Sequence, residues 1–330
     1  VVNTDWKKLH ADAFRNVRAL VTGGAGFIGS HLCDALTTLG ANVVVLDDFS
    51  GSDGSNIAHL KNIEQIKASI LDDDAVNRAV RGAQYIFHFG AKVSVPASVA
   101  NPDEYQQVNV EGTTKILDAA RKLGVQRVMF SASSSAYGES EVLPKVEAMP
   151  PQSLSPYAAS KVAGEQYIHA YASSYDMDAV SLRYFNIFGP RQNANSAYAG
   201  VIAAFARMLL AGEHPKITGD GTATRDFTFV HNAVHANLLA ARHPAKLKGD
   251  VFNVATATRI SIMQLATKMA ALMGRPDLIP ICVAPRPGDV MHSLADLNKS
   301  RAKLDYKPIV NFDEGLKATV EWYRGQRQAQ

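Results

Sequence analysis

Residues 18 to 39 run Arg18-Ala19-Leu20-Val21-Thr22, then Gly23-Gly24-Ala25-Gly26-Phe27-Ile28-Gly29, then Ser30 through Leu39. The first five read as a short buried strand, the next seven as a glycine loop and the remainder as a helix. A strand that feeds such a loop straight into a helix opens a parallel α/β sheet. Gly24, Gly26 and Gly29 satisfy G-x-G-x-x-G, while Gly23, Gly26 and Gly29 repeat at three-residue spacing. Glycines there permit a tight turn and let the backbone approach a pyrophosphate, whose charge then faces the helix N-terminus. Gly23, Gly26, Phe27, Ile28 and Gly29 are therefore candidate dinucleotide contacts.

The pattern continues outward from that loop. Asn42 to Leu46 reads as a second parallel strand ending in Asp47, 18 residues beyond Gly29. A carboxylate there can bind both hydroxyls of an adenosine ribose and would repel a 2′-phosphate, which favours NAD over NADP. Tyr85 to Phe89 reads as a strand, Glu111 to Leu123 as a helix and Val125 to Ser131 as another strand. Gly90 and Ala91 close the former strand and Ser133-Ser134-Ser135 follow the latter, so both ends belong on the carboxyl edge of the sheet, where ligands bind. A helix begins after Ser155-Pro156 and runs to about Tyr175, ahead of a strand at Ala179 to Arg183. From Tyr184 the rhythm breaks into proline- and glycine-punctuated segments, with helices near Val201 to Ala211 and Ile262 to Gly274.

These elements predict an α/β fold: a Rossmann doubly wound parallel sheet over 18–184, with a smaller C-terminal α/β substrate-binding lobe made mainly from 185–330. The chain is free to cross back between them. Residues 1–17 hold Trp6, Leu9, Phe14 and Val17 among charges, lack an apolar signal core, and read as an N-terminal extension with a short helix packed on the body.

Composition narrows the function. The 330 residues are 47% hydrophobic and 20% charged, enough for a large core. No apolar run approaches membrane-spanning length. A net charge of +3, with no lysine/arginine block, argues against a nucleic-acid partner. Cys33 and Cys282 are the only cysteines, which excludes a disulfide framework and points to the cytoplasm. The ten histidines are read as scattered without i, i+4 metal pairs and as structural or exposed, and no metal site is expected.

Tyr157 and Lys161 supply the chemistry. Four residues apart on a helix, they share one face, so an ammonium can sit beside a phenol and favour its phenolate. A lysine together with a bound nicotinamide cation can bring a tyrosine from roughly 10 towards neutrality. Such a residue can exchange a proton with a substrate hydroxyl while hydride leaves the same carbon. The serine cluster begins at Ser133, 24 residues upstream of Tyr157.

A set of further stretches extends these motifs: Asp47-Asp48-Phe49-Ser50, Asn109 to Thr113, Ser133 to Gly138, Arg183 to Pro190, Gly219 to Gly221, Arg225-Asp226 and Arg286 to Asp289. With them the chain resembles, over roughly residues 18 to 325, an extended short-chain dehydrogenase/reductase of the nucleotide-sugar 4-epimerase family, of the type acting on UDP-glucose or UDP-N-acetylglucosamine. The resemblance implies tightly bound NAD and makes Ser133 the third catalytic residue beside Tyr157 and Lys161. It places Ser50, Ser69, Ile70, Phe89, Gly90, Ala91, Asn109 and Tyr184 around the cofactor. Asn186, Arg225 and Arg286 would hold the nucleotide diphosphate, Val201 and Lys216 to Thr218 would flank uracil, and Ser94 and Ser135 would face the sugar. A homodimer through helices around Asn101 to Leu123 and Ala158 to Tyr175 is also implied. Two positions depart from the family: Ser69 stands where an Asp commonly contacts adenine, and Lys92 where many relatives are apolar. The role of Lys92 stays open, and Ser94 is equally a turn-stabilising serine.

The implied reaction is reversible inversion at C4 of a UDP-hexose through a 4-keto sugar. Dehydratases and decarboxylases of the superfamily place an acid between the catalytic hydroxyl and the following Tyr-Gly, whereas Ser134 and Ser135 offer no carboxylate. Ser293, seven positions beyond Arg286, stands where a tyrosine restricts related enzymes to UDP-glucose and UDP-galactose. A serine leaves room for a 2-acetamido group, so UDP-GlcNAc/UDP-GalNAc is the preferred pair, with UDP-Glc/UDP-Gal also possible. A UDP-glucuronate-type epimerase is the nearest alternative, followed by a sugar-nucleotide dehydrogenase or reductase and by a non-catalytic dinucleotide sensor.

Overall fold

The computed structural model describes residues 2–194, 200–284 and 291–328. The N-terminal half runs α1 (Trp6–His10), β1 (Arg18–Thr22), α2 (Phe27–Thr38), β2 (Asn42–Asp47), β3 (Glu64–Lys67), α3 (Asp73–Val80), β4 (Tyr85–His88), α4 (Val95–Ala100), α5 (Pro102–Tyr105), α6 (Gly112–Lys122), β5 (Arg127–Ser133), α7 (Pro156–Tyr175) and β6 (Ala179–Tyr184). The remainder adds β7 (Ile187–Phe188), α8 (Val201–Ala211), β8 (Lys216–Thr218), β9 (Thr224–Arg225), β10 (Thr228–Phe229), α9 (Val230–Ala241), β11 (Asp250–Val254), β12 (Ile260–Ser261), α10 (Ile262–Leu272), β13 (Ile281–Val283), α11 (Asn298–Leu304) and α12 (Phe312–Gln328).

Seven strands form one sheet in the order β3-β2-β1-β4-β5-β6-β11, and every pairing in it is parallel. Ala19 to Thr22 and Val44 to Leu46 are fully buried, because helices cover both faces and the strands need no polar alternation. On one face Leu32 and Leu36 of α2 and Val234 and Leu238 of α9 pack in a single apolar layer. On the other, Val76, Ile116, Leu117 and Ile168 bring in α3, α6 and α7. The chain order reverses between β1 and β4, which opens a crevice at their carboxyl ends. The short pairs β10/β7, β12/β9 and β13/β8 lie outside the main sheet, and α8, α10 and α12 share a third apolar cluster.

Some boundaries differ from those predicted, for local reasons. The helix expected from Glu111 is preceded by a π-helical turn at Gln106–Glu111, continuous with α5 and α6. The strand expected at Val125 to Ser131 lies two residues later, because Gly124 at φ +71° still belongs to the turn. Ser133 is therefore the last residue of β5 rather than part of the loop. Helix α7 has the start its sequence announces: Ser155 accepts from the Ala158 N–H at 3.1 Å and Pro156 fills the first helical position. It ends where Asp176 turns left-handed at φ +52°. In the N-terminal segment Phe14 is wholly buried in the main core, alongside Leu36.

Candidate active site

The glycine loop is shaped for close approach. Gly23 has φ +66°, and a Cβ there would lie 2.8 Å from the Gly90 N. A Cβ on Gly29 would lie 2.3 Å from the Gly23 carbonyl oxygen, so α2 can abut the loop only without a side chain. Gly26 is different: a Cβ would meet nothing within 4 Å except the Gly23 oxygen at 3.2 Å. It would project into space the protein leaves open. Gly26 is also the N-cap of α2 and supplies no side-chain acceptor, so the first N–H groups of the helix are available to an anion. Phe27 and Ile28 lie in that first turn.

Asp47, at the end of β2, accepts from the Ala25 N–H at 2.9 Å and the Phe49 N–H at 2.8 Å. Burial raises its carboxyl, and those two hydrogen bonds pull the other way. A carboxylate has about four acceptor positions, so capacity remains for ribose hydroxyls. The open Gly26 cradle, the uncapped helix start and this carboxylate fit a dinucleotide. Ser50 is exposed just beyond. Ser69 follows β3 and accepts from the Leu71 N–H at 3.1 Å, while Ile70 is buried against Gly90 and Gly112.

Ser133 from β5 and Tyr157 and Lys161 from α7 converge at the carboxyl edge of the sheet. Ser135 donates its hydroxyl to Ser133 Oγ at 2.9 Å. Crowding by the surrounding protein raises the Tyr157 phenol, although part of its surface stays open, and the Ser133 hydroxyl acts in the opposite direction. The edge of Tyr105 meets Tyr157 with ring centroids 6.4 Å apart. Lys161 is 4% exposed. Its ammonium donates to the Ser131 carbonyl at 2.9 Å and lies 5.1 Å from the centre of the Phe130 ring. Burial lowers it to about 8, with Glu165 opposing.

Asn109 sits on the π-helical turn and ties three segments together. Its Oδ1 accepts from the Lys92 N–H at 2.7 Å, and its Nδ2 donates to the Lys92 carbonyl and to Ser160 Oγ, both at 2.9 Å. Beneath it runs a hydrogen-bond chain whose direction is determined. Thr113 donates its hydroxyl to the Asn109 carbonyl at 2.6 Å, so its oxygen accepts from His88 Nε2–H at 3.0 Å. His88 Nδ1 then accepts from the Thr22 hydroxyl at 2.7 Å, and Thr22 Oγ1 accepts from the Gly90 N–H at 3.0 Å. Burial lowers His88 to about 3, which keeps it neutral in this role. Phe89 stacks on Tyr184 at 6.3 Å, whose hydroxyl accepts from Asn237 at 2.7 Å. Ala91 lies beside them in the chain.

On the substrate side, Ser94 caps α4 by accepting from the Ala97 N–H at 3.1 Å, which gives it a turn-stabilising task. Tyr105 accepts from the Ser94 N–H and donates to its carbonyl. Lys92 is ion-paired with Glu104 at 2.9 Å. Asn186 adopts φ +40° and donates to the Asp226 carbonyl at 3.0 Å. Asn186 and Val201 line a small cavity of about 80 Å³ with Gln192 and Phe227. Lys216 and Thr218 lie on β8, which pairs with β13. Arg225 on β9 donates to the carbonyls of Thr224 and Met291, and Ser293 donates its N–H to the Thr224 carbonyl at 3.0 Å. Ser293 is thus held beside Arg225, in extended chain rather than in a strand. Arg286 lies outside the described residues.

Sequence reading passed over Tyr105, His88, Thr22 and the Glu165–Arg183 pair. Their signals were spacings: Tyr105 stands four before Asn109 and Glu165 four after Lys161. His231 and His235 also stand four apart on α9, the spacing of a metal pair. They face different partners, Thr4 Oγ1 at 2.7 Å and His10 Nε2 at 3.0 Å. Among the described residues no cluster of three or more ligating groups could hold a metal, and no helix is long and apolar enough to cross a membrane.

Residues 19–255 match the model of the NAD-dependent epimerase/dehydratase family. A UDP-glucose 4-epimerase of Mycolicibacterium smegmatis is 41% identical over 317 residues, covering 94% of this chain and all of that protein. The UDP-N-acetylglucosamine 4-epimerase of Methanobrevibacter ruminantium, solved with UDP-N-acetylmuramic acid, superposes with a TM-score of 0.90 at 38% identity, covering 95% of this chain and all of that one. The UDP-glucuronic acid 4-epimerase of Bacillus cereus, solved with UDP-glucuronic acid and NAD, gives a TM-score of 0.87 at 29% identity, covering 94% of this chain and all of that one.

Proposed function

Because the chain belongs to the NAD-dependent epimerase/dehydratase family, we propose that it inverts the C4 centre of a UDP-hexose with NAD held on the glycine loop and Asp47. The observation that carries this reading is the convergence of Ser133, Tyr157 and Lys161 at the sheet edge, with Ser134 and Ser135 in place of a carboxylate. The chemistry NAD supplies when bound is reversible hydride acceptance at C4. Tyr157 takes and returns the O4 proton, a task its raised phenol can perform only with positive charge nearby, for which Lys161, one turn along α7, is the candidate. Ser133, oriented by Ser135, donates to O4 as the carbonyl develops. Asn186, Arg225 and Arg286 hold the diphosphate while the sugar turns, and Val201, Lys216 and Thr218 border the base.

UDP-GlcNAc and UDP-GalNAc are the preferred substrates in this reading, since Ser293 beside Arg225 leaves the space of a phenol ring. The exposed apolar residues Val99 on α4 and Tyr167 and Tyr175 on α7 favour a homodimer through this face, which light scattering would test. Incubation with UDP-Glc, UDP-GlcNAc and UDP-GlcA, with products identified by NMR, tests the reaction. Epimerised N-acetylated sugar is expected; stoichiometric NADH accumulation without a C4 epimer would reject the epimerase, and turnover of the uronate alone would reject the substrate.

A further inference from the structure

Lys161 is buried, and its acceptors in β5 are uncharged: the Ser131 carbonyl at 2.9 Å and the Ser131 hydroxyl at 3.4 Å. One helical turn on, Glu165 is 2% exposed. Spacing of four residues puts the two side chains on one face of α7. Arg183 of β6, itself 3% exposed, grips that carboxylate through two parallel bonds, Nε to Oε1 at 2.8 Å and Nη2 to Oε2 at 2.7 Å. The guanidinium thus gives the buried carboxylate a partner of opposite charge in bidentate geometry.

We propose that the Glu165–Arg183 pair is a positioning device that keeps Lys161 charged one turn along α7 from Tyr157, with Arg183 holding the Glu165 carboxylate in place and Glu165 supplying the counter-charge. Burial alone would discharge an ammonium, and Glu165 opposes that loss. The other ionisable groups packed around α7 do not supply the counter-charge. His88 from β4 is neutral, Tyr105 from α5 and Tyr137 from the turn after β5 are raised phenols, and Asp118 on α6 is taken by Arg121 and Lys122. Tyr137 lies under the Arg183 guanidinium at 4.7 Å, which fixes that side chain from its other face.

The inference rests on the proposed role of Lys161 as the partner of Tyr157, and its test needs no substrate. In protein labelled with ¹³C-lysine, the Lys161 resonance, assigned by its loss in Lys161→Met, is titrated in wild type, in Glu165→Gln and in the double variant Glu165→Gln/Arg183→Gln. Removing Glu165 alone takes away the counter-charge and leaves the buried Arg183 guanidinium uncompensated, so the Lys161 midpoint is expected to fall by about a pH unit or more. Removing both charges is expected to give a midpoint between the two. The alkaline limb of kcat/KM follows the same order. If Glu165→Gln does not fold, the double variant must still titrate below wild type. A midpoint in Glu165→Gln equal to or above wild type, or a double variant not above the single one, overturns the inference, because a purely structural pair would lower Tm without ordering the titration by charge. Should the order hold in a protein that epimerises no UDP-sugar, the proposed reaction fails and the counter-charge stands.

Discussion

Tyr157, the proton carrier of the proposed reaction, has surroundings that, taken alone, favour the neutral phenol. Its activity therefore depends on charge brought to it, which makes the hydroxyl itself the decisive atom. Tyr157→Phe keeps the ring and its edge contact with Tyr105, so the protein should still bind NAD while epimerisation falls by about 10²–10⁴, the range for general acid-base help. Near-normal turnover in that variant would remove Tyr157 from the mechanism. In the proposed reaction Ser293 acts by size. Held next to Arg225 through Thr224, a tyrosine there would occupy space the larger sugar needs. Ser293→Tyr should depress kcat/KM for UDP-GlcNAc while largely sparing UDP-Glc, since overpacking typically costs about 1–3 kcal/mol and falls on the bulkier substrate. An equal drop for both sugars would show that Ser293 does not set size.

Among the elements, α7 carries both Tyr157 and Lys161, and its seating on β5 is set by one small residue. A Cβ on Gly164 would lie 2.3 Å from Cζ of Phe130. Gly164→Ala should therefore destabilise the protein by about 1–3 kcal/mol despite the better helix propensity of alanine. Urea denaturation checks it, and unchanged stability would mean that the ring can move aside. A second element effect concerns α1. Burial lowers His10 to about 3 and His235 to about 4 from 6.5. The unfolded chain takes up protons near 6.5 that the folded chain refuses until about 3 to 4, so stability is lost as pH falls through that window. Each group costs up to about 1.4 kcal/mol per pH unit there. Replacing both, His10→Leu with His235→Leu, should reduce the fall in Tm between about pH 7 and 5, as followed by calorimetry. An undiminished fall would place the acid sensitivity elsewhere.

At the scale of the whole molecule, the sheet is completed from the far half of the chain. β11 pairs with β6 from Asp250 to Val254, and Arg127 of β5 donates to the carbonyls of Ala240, Ala241, His243 and Ala245 around the end of α9. A fragment ending at Tyr184 loses the strand beside β6 and the four carbonyl acceptors of the buried Arg127 guanidinium. It should show no cooperative thermal transition, whereas the whole chain should; a cooperative fragment would make residues 18–184 an independent unit. The strand, glycine loop and helix at residues 18–39, the carboxylate at the end of β2 and the capped start of α7 were legible in the sequence. Each is governed by local rules: glycine conformations, hydrophobic runs and capping residues act within a few positions. The π-helical turn that aims Asn109, the His88 hydrogen-bond chain, and the Glu165–Arg183 pair behind Lys161 were not. Their partners stand 25, 18 or more residues apart, as Thr113 does from His88 and Arg183 from Glu165. Only the tertiary packing that sets α6 beside β4 and α7 beside β6 brings those groups within hydrogen-bonding distance. The sequence by itself determined which groups are candidates for the chemistry; the tertiary structure decided what surrounds each of them and holds it in place, because burial and pairing depend on neighbours that chain order does not reveal.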